Sequence, residues 1–178
     1  ARAVAAYERT LITPDSAYDR YVKGDKQAMS EQQVRGMNLF ADTGCTACHS
    51  GPAFNGPAME PGTGFFMKFP TFADHDYVSK YQLADDTGRF TVTAAEADKH
   101  MWKVPTLRNI ALTAPYFHNG AVGTLNEAVR VMARVQLNKD LSDEQVTEIV
   151  AFLDALTGEF PEQPMPRLPG TPGRSIIK

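Results

Sequence analysis

The chain has 178 residues, enough for one ordinary domain with its own core and an appended arm. Its formal net charge of −3 argues against a nucleic-acid partner, which would want a basic face, and 43% hydrophobic with 22% charged residues is an ordinary globular balance. No run of about 18 apolar residues occurs, so the sequence predicts no membrane-spanning helix.

Residues 1–12 place Val4, Tyr7 and Leu11 at helical spacing with no cap before them, which predicts a helix that begins partway through a larger protein. TPDSAYDRYVKGD, with Pro14, Asp15 and Gly24, then reads as a turn-rich connection. Ser30-Glu31-Gln32-Gln33 is a capping box opening a helix that carries Val34, Met37 and Phe40 on one face and stops at Gly44.

Immediately after that stop stand both cysteines, Cys45 and Cys48, followed by His49. A C-x-x-C-H run is the attachment signature of a c-type haem: two thiols for covalent thioether links and one axial imidazole. A zinc site would need further ligands, and His75, His100 and His118 are widely scattered. A redox C-x-x-C pair wants a βαβ context, which is not apparent. Thioether attachment is made outside the cytoplasm, so the expected location is the periplasm. A first helix running straight into C-x-x-C-H is the arrangement of a cytochrome c-type haem domain.

Residues 51–70 are rich in Gly, Pro and Phe without a period and read as loop. Residues 71–100 are polar and irregular, with a short strand expected at Arg89–Thr93. Pro105, Pro115 and Gly120 punctuate the stretch from Lys103 to Gly120. Thr124-Leu125-Asn126-Glu127 is a second capping box, opening a helix to about Val135 with Leu125, Ala128, Val129 and Met132 on one face. Ser142-Asp143-Glu144-Gln145 caps a third helix, with Val146, Ile149, Val150, Leu153 and Leu156 inward and Gly158 as its stop. Pro161, Pro164, Pro166, Pro169 and Pro172 predict an extended arm over 161–178. The fold class is therefore mainly α, with long irregular loops. The expected division is a linking helix and connection over 1–25, the haem domain over 26–160, and the arm.

The second axial ligand does not follow from spacing. Met29 and Met37 precede the motif by too little chain to fold back, and Met165 lies in the arm. Met59, Met67, Met101 and Met132, with His75, His100 and His118, remain open, and a helical methionine by itself is ordinary core filler. Arg108 could pair with a haem propionate or with another side chain, and Trp102, the single tryptophan, could relay electrons or simply pack.

The stretch KVPTLRNIALTAPYFHNGAVGTLNEAVRVM, with AYERTLITPDSAYDRYVKGD and GMNLFADTGCTACHSG, closely resembles the carboxy-terminal haem domain of bacterial di-haem cytochrome c peroxidases. The likeness runs from residue 1 to about 160. It implies a high-potential haem c with His49 and Met132 as axial ligands, because the family's methionine lies fourteen residues beyond the histidine of PYFH, here His118. Related MauG-like proteins carry a tyrosine at the position of Met132. The resemblance also implies a calcium ion held partly by the backbone carbonyls of Thr113 and Pro115, carbonyl oxygens suiting a hard cation. It implies a small cytochrome c or cupredoxin as electron donor, hydrogen peroxide as substrate, and association of the intact enzyme as a homodimer. The peroxidatic haem and the catalytic residues belong to an amino-terminal domain, so no catalytic residue is expected in this chain. A free-standing monohaem electron carrier is the competing reading.

Overall fold

The computed structural model describes residues 2–60 and 63–162, and the expected Pro-rich arm lies almost wholly outside them. Among the described residues seven α-helices carry the fold: α1 (Arg2–Glu8), α2 (Ala17–Val22), α3 (Glu31–Thr43), α4 (Asp76–Lys80), α5 (Phe90–Thr93), α6 (Leu125–Leu137) and α7 (Asp143–Asp154). Two three-residue strands, β1 (Phe66–Lys68) and β2 (Met101–Lys103), pair antiparallel with Met67 opposite Trp102. Mainly helical architecture thus agrees with the sequence. Among the described residues no helix is long and apolar enough to cross a membrane.

The helix signals work where a side chain closes the first turn. Ser30 and Ser142 each accept a bond from the backbone of Gln33 and Gln145, whose side chains reach back to the cap, completing both boxes. At Thr124 only half of the expected box forms: its side chain accepts from Glu127 N–H, but the Glu127 carboxylate turns to Tyr81 and Lys80 instead of back to the cap. At the other end of α3, Gly44 takes φ +100, the left-handed conformation that ends a helix without a Cβ penalty.

Three expectations need correction. The connection expected over 13–25 contains α2, opened by a capping box of Ser16 and Asp19, the same device as at Ser30 and Ser142. Its helix is short, and the surrounding Pro and Gly mask it. The strand expected at Arg89–Thr93 is the short helix α5, since its β-branched residues find no pairing partner there. The real strands are each only three residues, too short to show alternation. Finally, α7 ends at Asp154, and Gly158 is not its stop. Gly158 is needed because a Cβ there would strike the carbonyl of Thr13.

The dominant packing is α3 on α7. It requires Gly36, where a Cβ would run into the Glu148 carbonyl of α7, so a glycine lets the two backbones touch. Around this crossing lies the main core, centred on Phe152, which meets Tyr18, Phe40 and Phe54 edge-on or tilted at ring-centroid distances of 6.0, 5.4 and 6.0 Å. A second cluster gathers Val78, Leu83, Tyr116, Val122, Ala128, Val131 and Val135. Helix α6 stands between this cluster and a cavity, which is why it is apolar on more than one face.

Candidate haem site

The C-x-x-C-H segment is a tight local structure. Cys45–Ala47 form one 3-10 turn after Gly44, and the N–H groups of Cys48 and His49 both donate to the Cys45 carbonyl, at 3.2 and 2.9 Å. Lys139 Nζ donates to the Thr43 carbonyl at 2.7 Å, tying the end of α3 to the residue just past α6. His49 Nδ1 lies 2.9 Å from the Phe54 carbonyl. The carbonyl can only accept, so Nδ1 carries the proton and Nε2 keeps its lone pair. Burial pushes the His49 imidazole below its ordinary value, against the backbone bonds to Phe54 and Pro105. A neutral, oriented imidazole is what a metal requires.

The cysteines are not joined to each other. Burial pushes the Cys45 thiol up to about 11 and moves Cys48 in the same direction. Among the described residues no group of three or more His, Cys, Asp or Glu could hold a metal ion.

Cys45, Cys48 and His49 line a cavity of about 510 Å³ whose walls are largely apolar. Its other walls come from β1 and β2 through Met67 and Trp102, from the Pro115–His118 turn, and from Leu125, Val129 and Met132 of α6. Two buried polar atoms, Trp102 Nε1 and Gln136 Oε1, have no partner among the described residues, and both belong to side chains lining this cavity. Apolar walls, two thiols, a neutral imidazole and lining thioethers would suit a covalently held tetrapyrrole.

The ligand candidates separate here. Met132 and Met67 line the cavity, as does His118, whereas Met59 and Met101 do not. His75 is spent elsewhere, its ring lying between the Tyr77 N–H at the start of α4 and the Arg134 guanidinium, 3.2 and 2.9 Å away. His100 sits against the Asp86 carbonyl. His118 stacks on Trp102, with centroids 4.1 Å apart and planes 17° from parallel, so the tryptophan forms part of the wall.

Arg108 is held by side-chain and backbone partners. Its guanidinium forks onto Asp19 at 2.9 and 3.0 Å, also donates to Ser16 Oγ at 3.1 Å, and its Nε donates to the Pro52 carbonyl at 2.9 Å. Partial burial pushes the Asp19 carboxyl up, but the bonds from Arg108 and Ser16 and the guanidinium charge outweigh it and hold it below the usual aspartate value. Thr113, at the end of a 3-10 turn, and Pro115 both border the cavity. Sequence reasoning missed Phe54 and Asp19. Phe54 stands in no recognisable motif; for Asp19 the Ser16-x-x-Asp19 cap was the available signal.

Known proteins include relatives of this chain. The chain is 44% identical over 167 residues to the cytochrome c551 peroxidase of Nitrosomonas europaea, covering 94% of this chain and 46% of that protein. It is 46% identical over 158 residues to the cytochrome c peroxidase Ccp of Escherichia coli, covering 89% of this chain and 32% of that protein. Among solved structures it resembles a MauG-like protein associated with microbial copper homeostasis, with a TM-score of 0.64 and 28% identity over 82% of this chain and 52% of that one. No protein-family profile matches. The chain spans about half the length, or less, of these peroxidases.

Proposed function

Because the chain belongs to the bacterial cytochrome c peroxidase family, matching about half or less of its relatives' length, we propose that it is the electron-receiving haem c domain of a periplasmic di-haem peroxidase. The observation that carries this reading is the convergence of Cys45, Cys48, His49 and Met132 on one apolar cavity. Cys45 and Cys48 would hold the porphyrin through their sulfurs, and His49 Nε2 and the Met132 thioether would hold its iron. Bound there, haem c supplies a one-electron iron couple, which a thioether ligand sets at high potential.

The chain's own residues keep that couple closed to other chemistry. The Phe54 carbonyl holds the His49 ring in one tautomer. Leu125, Val129 and Ile149 would give the haem apolar surroundings, which favour electron transfer over ligand exchange. Met132, where MauG-like relatives have tyrosine, supports the peroxidase branch. In the intact protein, residues 1–25 would link this domain to an amino-terminal one where hydrogen peroxide, two electrons and two protons give water. Electrons would come singly from a small cytochrome c or cupredoxin. A calcium ion would rest on the Thr113 and Pro115 carbonyls at the junction of the two halves, partly liganded by the other half.

A haem count on the intact gene product tests the assignment. Two covalent haems per polypeptide are expected, with a peroxide-dependent oxidation of reduced donor. One haem and no peroxidase activity would favour a free-standing monohaem carrier.

A further inference from the structure

The carbonyls of Pro52, Ala53 and Phe54 are consecutive, and each meets a side-chain nitrogen or hydroxyl. Arg108 Nε donates to the first at 2.9 Å, Thr106 Oγ1 to the second at 2.6 Å, and His49 Nδ1 to the third at 2.9 Å. Phe54 itself sits at φ +52, a conformation that a non-glycine residue holds only where its surroundings impose it. Its ring is buried between Tyr18, Phe40 and Phe152. The Phe54 carbonyl is therefore aimed by a peptide row pinned from the Thr106–Arg108 side.

Arg108 is in turn fixed on α2. Its fork is closed by Asp19, which is itself held as the third member of the Ser16 capping box, so the guanidinium has little freedom. A continuous set of short contacts runs from α2 through Arg108 and the 52–54 carbonyls to His49 Nδ1. An imidazole whose N–H is held by a well-oriented carbonyl is a stronger donor through its other nitrogen.

We propose that Thr106 and Arg108 are positioning residues for His49: they hold the 52–54 carbonyl row so that Phe54 orients the imidazole and tunes its donor strength, with α2 anchoring the set. This rests on His49 being the axial ligand. A poorer imidazole donor stabilises ferric iron less, so loosening the row raises the reduction potential. Loss of the Arg108 charge alone does the opposite, because a nearby positive charge favours the ferrous form. Direction separates the two effects.

The test uses the full chain matured with covalent haem, comparing Thr106→Val, Thr106→Ser, Arg108→Lys and Arg108→Gln with the parent. Midpoint potential and exchange of the His49 Nδ1 proton by NMR are the readouts, with thermal unfolding alongside. Thr106→Val and Arg108→Lys, both charge-neutral changes, are expected to raise the potential and speed proton exchange about five- to tenfold, the effect of one lost net hydrogen bond. Thr106→Ser keeps the hydroxyl and should restore parental values. If Thr106→Val and Arg108→Lys lower only the unfolding temperature, the pair is merely structural and the proposal is wrong. If only Arg108→Gln shifts the potential, and shifts it down, the effect is Coulombic and the proposal is again wrong. His49→Ala separates the underlying reading: an unchanged haem-ligation spectrum in that variant would show that His49 is not the ligand at all.

Discussion

The wall of the cavity that carries Cys45, Cys48 and His49 and the walls that carry Met67 and Met132 are built differently. The first is local: residues 44–54 close on themselves through a 3-10 turn, two bonds to the Cys45 carbonyl and the Phe54 bond to His49. The others are assembled from β1, β2, the Pro115–His118 turn and α6, elements far apart in the chain. A short closed loop sets the spacing of its ligands, and the Thr106 and Arg108 contacts to the 52–54 carbonyls hold it from outside. A wall gathered from distant segments offers several donors, and packing decides which one reaches the iron.

The largest expected effect falls on the core behind the local wall. Phe152→Ala removes the ring shared by Tyr18, Phe40 and Phe54 and is expected to cost about 3–5 kcal/mol, read as a lower urea midpoint. Haem ligation by His49 that persists in the folded fraction would mark the local wall as self-sufficient; its loss would tie that wall to the core.

Next comes the assembled wall. Met132→Leu conserves volume, so it should change stability by less than about 1.5 kcal/mol while abolishing the methionine-to-iron absorption band and lowering the potential. Met67→Leu should leave the band in place, and the reverse pattern would hand the ligand role to Met67.

Asp19→Asn weakens the Arg108 fork, whose side chains are only 18% and 19% exposed, and is expected to cost about 1–2 kcal/mol. The effect depends on pH with a definite sign. The folded Asp19 carboxyl titrates below its unfolded value of about 3.9, so its contribution is fully present above that pH and is lost as the folded carboxyl protonates below it. Acid-unfolding curves of parent and Asp19→Asn should therefore converge at low pH and diverge above about pH 4.

The smallest effects are the caps. Ser30→Ala at the start of α3 and Thr124→Ala at the start of α6 should each cost about 1 kcal/mol in thermal or urea unfolding. Equal losses would show that the helices leading to the two walls are fastened alike, so that the contrast between the walls arises from tertiary packing and not from helix starts.

What the sequence determined by itself was whatever depends on neighbours a few residues apart. The caps at Ser30, Thr124 and Ser142, the αL stop at Gly44 and the Cys45-x-x-Cys48-His49 unit were legible because each closes its own bonds within a turn or two. The helix α2 was legible in principle through Ser16 and Asp19, and was obscured by its length. Tertiary structure alone decided that Gly158 serves a close approach to Thr13, that Arg108 grips Asp19, and that Met59 and Met101 stand away from the cavity while Met132 lines it. Most of those relations join residues far apart in the chain, as Arg108 and Asp19 are, and no local propensity encodes which distant surfaces meet.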